Sequence, residues 1–305
     1  MQFPFKRSFG FIAGPVARRF AATGLFCVLG FLSVQAQVRP GNDRIPDFRE
    51  IDQAEGARRM ADFRNQRLEG DFCFDFKLEH LPRQGKGTVY NGRMWGSWNA
   101  KGPVTRVKLS IPEALRASLG YDALHLIVQN GRAAQAWMRE GGDGDFRELR
   151  GAARFEPLLP GMNYSVFDLQ MPFIYWDDFV YEGPDRALGR AAQSFLMYPP
   201  DSGEATGAGI SAVSVTLDES YNALLRVDVI GLEGREVSSF RIRKFKRVQD
   251  QWIVRTIDLF DPESRSRTRF EVEAAATGID LDAGIFNPDT GVELPVLADS
   301  VFEDL

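Results

Sequence analysis

From Phe72 onward the chain keeps returning to one pattern: short runs in which apolar and polar residues alternate, each closed by a cluster of Gly, Pro, Asn or Asp. Phe72, Phe74, Phe76 and Leu78 alternate with Asp71, Cys73, Asp75 and Lys77. That period of two belongs to a strand with one face in a core and one toward solvent, and it puts Cys73 on the polar side. Comparable runs follow over residues 88–98, 104–111, 123–130, 133–138, 191–198, 210–218, 224–230, 237–248, 252–260 and 267–274. Turn signals recur between them at roughly 8–12-residue spacing, the rhythm of an antiparallel sandwich or barrel. Asn91-Gly92 reads as a turn or bulge inside the second run, Asn130-Gly131 as a hairpin tip and Glu182-Gly183-Pro184 as a turn. Gly141-Gly142-Asp143-Gly144-Asp145 lacks the later ligands of a calcium loop and reads as another tip.

Two stretches depart from this period. Over residues 47–68, Phe48, Ile51, Ala54, Ala57, Met60, Ala61, Phe63 and Leu68 fall mostly three or four apart, which predicts an amphipathic helix packed on a sheet. Residues 113–119 form a second, short helix after Pro112. Residues 199–209 are the most linker-like of the chain, with two prolines and three glycines. The tail from Thr277 is apolar enough, through Ile285, Phe286, Leu294 and Leu297, to dock rather than dangle.

The N-terminus carries Lys6, Arg7, Arg18 and Arg19, then an apolar run from Ala21 to Val34 and small residues before Gln37. This is an export signal, too short to span a bilayer, with residues 1–36 removed on processing. Arg18-Arg19-Phe20 also leaves the twin-arginine route open. The mature chain then divides into a tail over 37–46, one β-rich domain over 47–290 and a C-terminal tail over 291–305. It keeps Cys73 alone, so no internal disulfide forms. A net charge of −5 gives no footprint for nucleic acid.

Residues 164–181 gather aromatics around Asp168, Asp177 and Asp178 near the middle of the chain, a composition that suits either core or a ligand-lined cleft. Arg241, Arg243, Lys244, Lys246 and Arg247 form the densest basic cluster, alternating in part with Phe240, Ile242, Phe245 and Val248. It reads as a solvated or edge-protecting strand face, or as a contact for a membrane surface or partner. An enzyme is poorly supplied here. His80 and His125 are the only histidines, no G-x-S-x-G elbow or metal spacing occurs, and adjacent Asp177 and Asp178 point to opposite sides of a strand. No catalytic residue, metal ligand or cofactor is assigned.

Three stretches resemble the outer-membrane lipoprotein-sorting proteins, the LolA/LolB-like superfamily, and its large bacterial branch most of all. They are Tyr164-Ser165-Val166-Phe167-Asp168-Leu169 with Pro172-Phe173-Ile174-Tyr175-Trp176, then Ala223-Leu224-Leu225-Arg226-Val227-Asp228-Val229 with Gly231-Leu232-Glu233-Gly234-Arg235, then Gln251-Trp252-Ile253-Val254 with Arg267-Thr268-Arg269-Phe270-Glu271-Val272. The resemblance covers about residues 45–290. It implies a mainly β (α+β) fold, an incomplete antiparallel β-barrel of about ten strands closed on its concave face by helices. It also implies a non-enzymatic carrier or binder of lipoprotein acyl chains or other lipids in the periplasm of a Gram-negative-type bacterium, serving a membrane-bound donor or acceptor. The alternative is an envelope scaffold of the same fold without lipid transport. On this reading Phe167, Leu169, Met171, Phe173, Ile174 and Trp176 belong to a lid over an apolar cavity. Phe72, Phe74 and Phe76 form its wall, Ser165 and Asp168 cap or hinge the lid, and Arg241, Arg243, Lys244 and Lys246 touch a membrane or partner.

Overall fold

The computed structural model describes residues 49–305. The export signal and the 37–46 tail, with the first residues of the expected N-terminal helix, lie outside them. Helix α1 runs over Gln53–Asn65, with Asp52 as its N-cap accepting from the Glu55 amide at 2.6 Å. The first meander then comprises β1 (Asp71–Leu81), β2 (Thr88–Asn99), β3 (Gly102–Ser110), helix α2 (Glu113–Leu119), β4 (Ala123–Gln129), β5 (Gln135–Glu140) and β6 (Arg147–Glu148). A connecting segment holds α3 (Val166–Gln170). The second meander comprises β7 (Phe179–Ala187), β8 (Arg190–Met197), helix α4 (Glu204–Gly207), β9 (Ile210–Asp218), β10 (Leu224–Gly231), β11 (Glu236–Val248), β12 (Gln251–Asp261) and β13 (Ser266–Ile279), and β14 (Glu303–Asp304) follows.

All these strands join one antiparallel sheet of 14 strands in the order β6-β5-β4-β3-β2-β1-β13-β12-β11-β10-β9-β8-β7, with β14 on β13. The expected ten strands are therefore too few, and the sheet is not closed, because β6 and β7 stand at opposite ends of the order. The two meanders meet where β1 pairs with β13, from Asp71↔Ile279 to Leu81↔Arg267. The chain between β6 and β7 has to travel from one free edge of the sheet to the other.

Alternation sorts the side chains onto two faces. The inner face carries Phe72, Phe74, Phe76 and Leu78 of β1 into one large core with Met60 and Phe63 of α1 and with buried residues of β2–β4 and β8–β13. The rings of Phe72 and Phe74 stack at 4.6 Å, and Phe76 meets Phe270 of β13 at 4.9 Å. Cys73 corrects the expectation of a polar outer face, since it is fully buried with Trp95, Val104, Ile127, Ala276, Ile285 and Phe286. The C-terminal tail covers this part of the outer face and ends by pairing Asp304 with Ala274. Burial pushes the Cys73 thiol up to about 12, which keeps it protonated and inert.

Two other local expectations are corrected. Asn91-Gly92 is no turn, because β2 runs unbroken with Gly92 opposite Phe76 and Gly96 opposite Phe72. A Cβ at Gly92 would sit 2.4 Å from the Phe76 ring, and one at Gly96 would sit 1.9 Å from the Phe72 ring. These glycines are sockets for large rings packing across the strand pair. Glu182-Gly183-Pro184 lies inside β7, where the register shifts between Tyr181 and Gly183 as a bulge. Finally, β11 lies between β10 and β12 in the strand order, but its register with β10 ends at Arg226↔Arg241, so the basic residues from Arg243 to Arg247 lie on the part of the strand paired with β12 alone. On the described residues, no helix is long and apolar enough to cross a membrane.

The sockets make a prediction. Gly96→Ala forces the Phe72 ring from its seat and should destabilise the protein by about 1–3 kcal/mol. Phe72→Leu in the same chain should recover part of that loss. Urea unfolding of the two single variants and the double variant measures the coupling, and additive losses would show that the socket does not matter.

Candidate functional site

The segment between the two sheet edges is folded by its own sequence. Gly151–Arg154 makes one 3-10 turn, and Pro157 bridges Ser165 so that the Leu158 amide donates to the Tyr164 carbonyl at 2.9 Å. Ser165 then starts α3 with a capping box. Its amide donates to Asp168 Oδ2 at 2.8 Å, its hydroxyl donates to the same oxygen at 2.6 Å, and the Asp168 amide donates back to Ser165 Oγ at 3.3 Å. The helix lasts five residues because Pro172 disfavours the α conformation for the residue before it. Met171 leaves in the left-handed region at φ 43, ψ 54, and Pro172–Tyr175 form a second 3-10 turn.

This segment is tied down at both ends of the sheet. Asn130 Nδ2 donates to the Leu169 carbonyl at 3.5 Å, and Gln170, fully buried, donates to the Gln129 carbonyl at 3.4 Å and accepts from Arg154. From α1, Arg64 donates to the carbonyls of Ile174 at 2.5 Å and Trp176 at 2.8 Å. α1 is in turn anchored on β7 through Gln53, whose side chain donates to the Phe179 carbonyl and accepts from the Tyr181 amide. The sequence reading missed Arg64, Asn130 and Gln170 because their partners are carbonyls of distant segments.

Between the segment and the inner face lies an apolar cavity of about 40 Å³. Leu158, Tyr164, Asp168, Leu169 and Met171 form its roof, with Phe76, Met94, Val107, Leu109, Phe240 and Phe270 among the side chains of its walls and floor. Of the nine apolar side chains singled out from the sequence, Phe76, Leu169 and Met171 line it. Phe72, Phe74, Phe173 and Ile174 belong to the surrounding core. Phe167 and Trp176 look the other way, into a groove of about 520 Å³ shared with Phe155, Pro172, Tyr175, Ala205 and the Arg132–Asp177 ion pair. Phe167 packs on Phe155 of that groove at 5.0 Å and on Phe173 of the core at 5.7 Å.

Two polar groups interrupt the apolar roof. The Tyr164 hydroxyl is buried without a hydrogen-bond partner, and its ionisation is pushed well above the ordinary range by burial and by the neighbouring Asp168 and Asp258 carboxylates. Asp168 keeps some exposed surface at the residue level, but its carboxyl group is enclosed by protein. Burial raises its pKa from 3.8 to about 6, against the opposing pull of the hydrogen bonds to Ser165.

The basic strand stands apart from this site, on the outer face. Arg241 stacks over Phe260 at 5.2 Å, and Arg243 pairs at 3.3 Å with Asp258, a fully buried carboxylate also held by Arg267 and Arg269. Lys244 and Lys246 make no ion pair among the described residues. Asp177 is exposed on Arg132, and the Asp178 carbonyl accepts from the Tyr198 amide. Among the described residues no group of His, Cys, Asp and Glu is placed to hold a metal ion.

No family model matches the sequence, and no curated protein matches it. Solved structures do match in fold. A DUF1329-family protein from Desulfovibrio piger superposes with a TM-score of 0.64 at 14% identity, covering 76% of this chain and 95% of that one. An outer membrane lipoprotein-sorting protein domain from Vibrio parahaemolyticus gives 0.61 at 14% identity, over 72% of this chain and 89% of that one. A LolA-superfamily protein from Nitrosomonas europaea gives 0.52 at 12% identity, over 72% and 91%. The fold is LolA-like, as the sequence motifs indicate. At these identities the likeness concerns the fold alone.

The pKa of Asp168 sets a pH dependence. In the window from about pH 4 to about pH 6 the folded protein holds a proton that the unfolded chain releases, so stability falls as pH rises through that window. Asp168→Asn keeps an acceptor for the cap and removes the titration. Urea midpoints for the wild type should fall from about pH 4 to about pH 7 relative to those of the variant. Parallel profiles would place the carboxyl in ordinary solvent.

Proposed function

We propose that this protein is a non-enzymatic binder or carrier of acyl chains, of lipoproteins or other lipids, in the periplasm or cell envelope. The observation that supports this reading most is the cavity beneath residues 158–171. A single short segment, held by side-chain-to-carbonyl hydrogen bonds, separates an apolar floor from a wide half-apolar groove at the surface. In the form described the cavity is small. A space of about 40 Å³ takes small groups, not a chain. Binding an acyl chain therefore requires the roof to lift, with each CH₂ that enters gaining about 0.8 kcal/mol by leaving water.

The chemistry of the roof favours such movement. Its left-handed Met171 costs about 1–2 kcal/mol, and Tyr164 and Asp168 are polar groups held in apolar surroundings. A ligand whose ester or amide carbonyl accepts from the Tyr164 hydroxyl would relieve the unpartnered donor. The export signal read in residues 1–36 supports the envelope address. Lys244 and Lys246 are the members of the basic strand left available to a membrane or partner protein. The narrowness of the cavity favours a second reading, an envelope scaffold whose gap is only a packing defect.

An acyl-chain probe decides between them. Delipidated protein should enhance the fluorescence of a long-chain probe saturably, and Val107→Phe, which fills the floor from a rigid strand, should abolish that response while leaving the fold intact by circular dichroism. No response from the wild type, or an unchanged response from Val107→Phe, would favour the scaffold.

A further inference from the structure

On the outer face of the first meander the cross-strand register lines up basic side chains. Arg93, Lys108, His125 and Arg139 are successive partners across β2, β3, β4 and β5, and in the next row Trp95 stands opposite Arg106. Residues paired in this way share a face and touch. Arg93 is neutralised by a two-pronged contact with Asp75, at 2.5 and 2.7 Å. The others are not. Among the described residues no carboxylate pairs with Arg106, Lys108 or Arg139.

Arg106 is the sharpest case, being only 4% exposed. Its guanidinium reaches His125 Nδ1 at 3.5 Å and stacks on the Phe146 ring at 4.3 Å, while Arg139 stacks on the same ring at 4.8 Å. Three donors in this neighbourhood, Arg106 Nε, Arg139 Nε and Trp95 Nε1, are buried without an acceptor. Burial and the nearby Arg139 lower the Arg106 pKa to about 10. Burial, then Arg106, Arg139 and Lys108, lower that of His125 to about 4, with Asp122 opposing weakly. A buried, unpaired guanidinium beside other cations is among the most costly arrangements a fold can carry. Stacking on Phe146 offsets it only in part, by about 0.5–2 kcal/mol.

We infer that Arg106, Arg139, Lys108 and the Trp95 indole N–H form a binding site for a phosphate-class oxyanion, closed by Phe146. Guanidinium forks match such oxygens in pairs, and the indole supplies a further donor. The burial of Arg106 restricts the occupant to a small group, either free phosphate or the phosphate of a lipid headgroup presented at the exposed Lys108 side. Phe146 is partly buried against the cluster of Trp95, Val104 and Ile127, next to the tip that contains Gly142 and Gly144, so an entering anion has to shift the ring on that contact. This site lies across the sheet from the acyl cavity and does not depend on it.

Inorganic phosphate titrated into the ¹⁵N-labelled protein is the test, with chloride at equal ionic strength as control. The Trp95 indole resonance should shift saturably, and the His125 pKa should rise as an anion settles beside it. Arg139→Gln, a half-buried position that spares folding, should weaken binding by roughly tenfold, the scale of one lost charge-assisted contact. Arg106→Met should abolish it. If phosphate alone is silent, co-sedimentation with vesicles containing phosphatidic acid, lost in Arg139→Gln, would assign the site to a headgroup. No saturable shift and no vesicle binding would overturn the inference, as would a response unchanged in both variants.

Discussion

The pairing of β1 with β13 is the contact on which the rest of the molecule depends. It joins the start of one meander to the end of the other, and it thereby sends β6 and β7 to opposite margins of the sheet. The connection between those two strands then has no short route. It crosses the inner face, and the apolar side chains it carries there are what the sheet alone leaves uncovered. The open margins are managed separately. β6 is two residues long, and β7 is bulged after Tyr181 and carries Pro184, features that discourage pairing with another chain.

The strands were legible because a period of two interrupted by turn residues has few other meanings, and residues 210–218 and 113–119 are bounded in the structure as in the sequence. The errors share one cause. Gly92 looks like a turn residue until the ring of Phe76 is seen to need its space, and Cys73 looks solvent-facing until a tail some two hundred residues later covers it. Each required knowledge of a partner far along the chain. At the site, Ser165 and Asp168 show a Ser-x-x-Asp spacing that forecasts a cap, since both partners are local. The floor residues Val107, Phe240 and Phe270 were unreadable as such, because every inward position of every strand carries the same pattern and only the packing decides which of them border a gap.

The two faces of β1 differ in what they demand. Inside, Phe72, Phe74 and Phe76 are seated in glycine sockets and stacked rings; outside, Cys73 is sealed by Ile285 and Phe286. A strand buried on its inner face, sealed at Cys73 on its outer face and paired on both sides is among the last parts of a protein to open. The roof has the opposite character. It holds a five-residue helix, a left-handed methionine, an unpartnered hydroxyl and a carboxyl displaced from its ordinary pKa, and its ties are mostly single hydrogen bonds to carbonyls. Hydrogen bonds of that kind contribute about 0.5–1.5 kcal/mol each, an amount that the burial of one or two CH₂ groups at about 0.8 kcal/mol apiece would offset, whereas the floor rests on aromatic burial at about 1.5–3 kcal/mol per side chain. On the proposed reading, adjustment to a bound acyl chain would fall on residues 158–176 and leave the floor in place, so the sheet would set the position of the cavity and the roof its size.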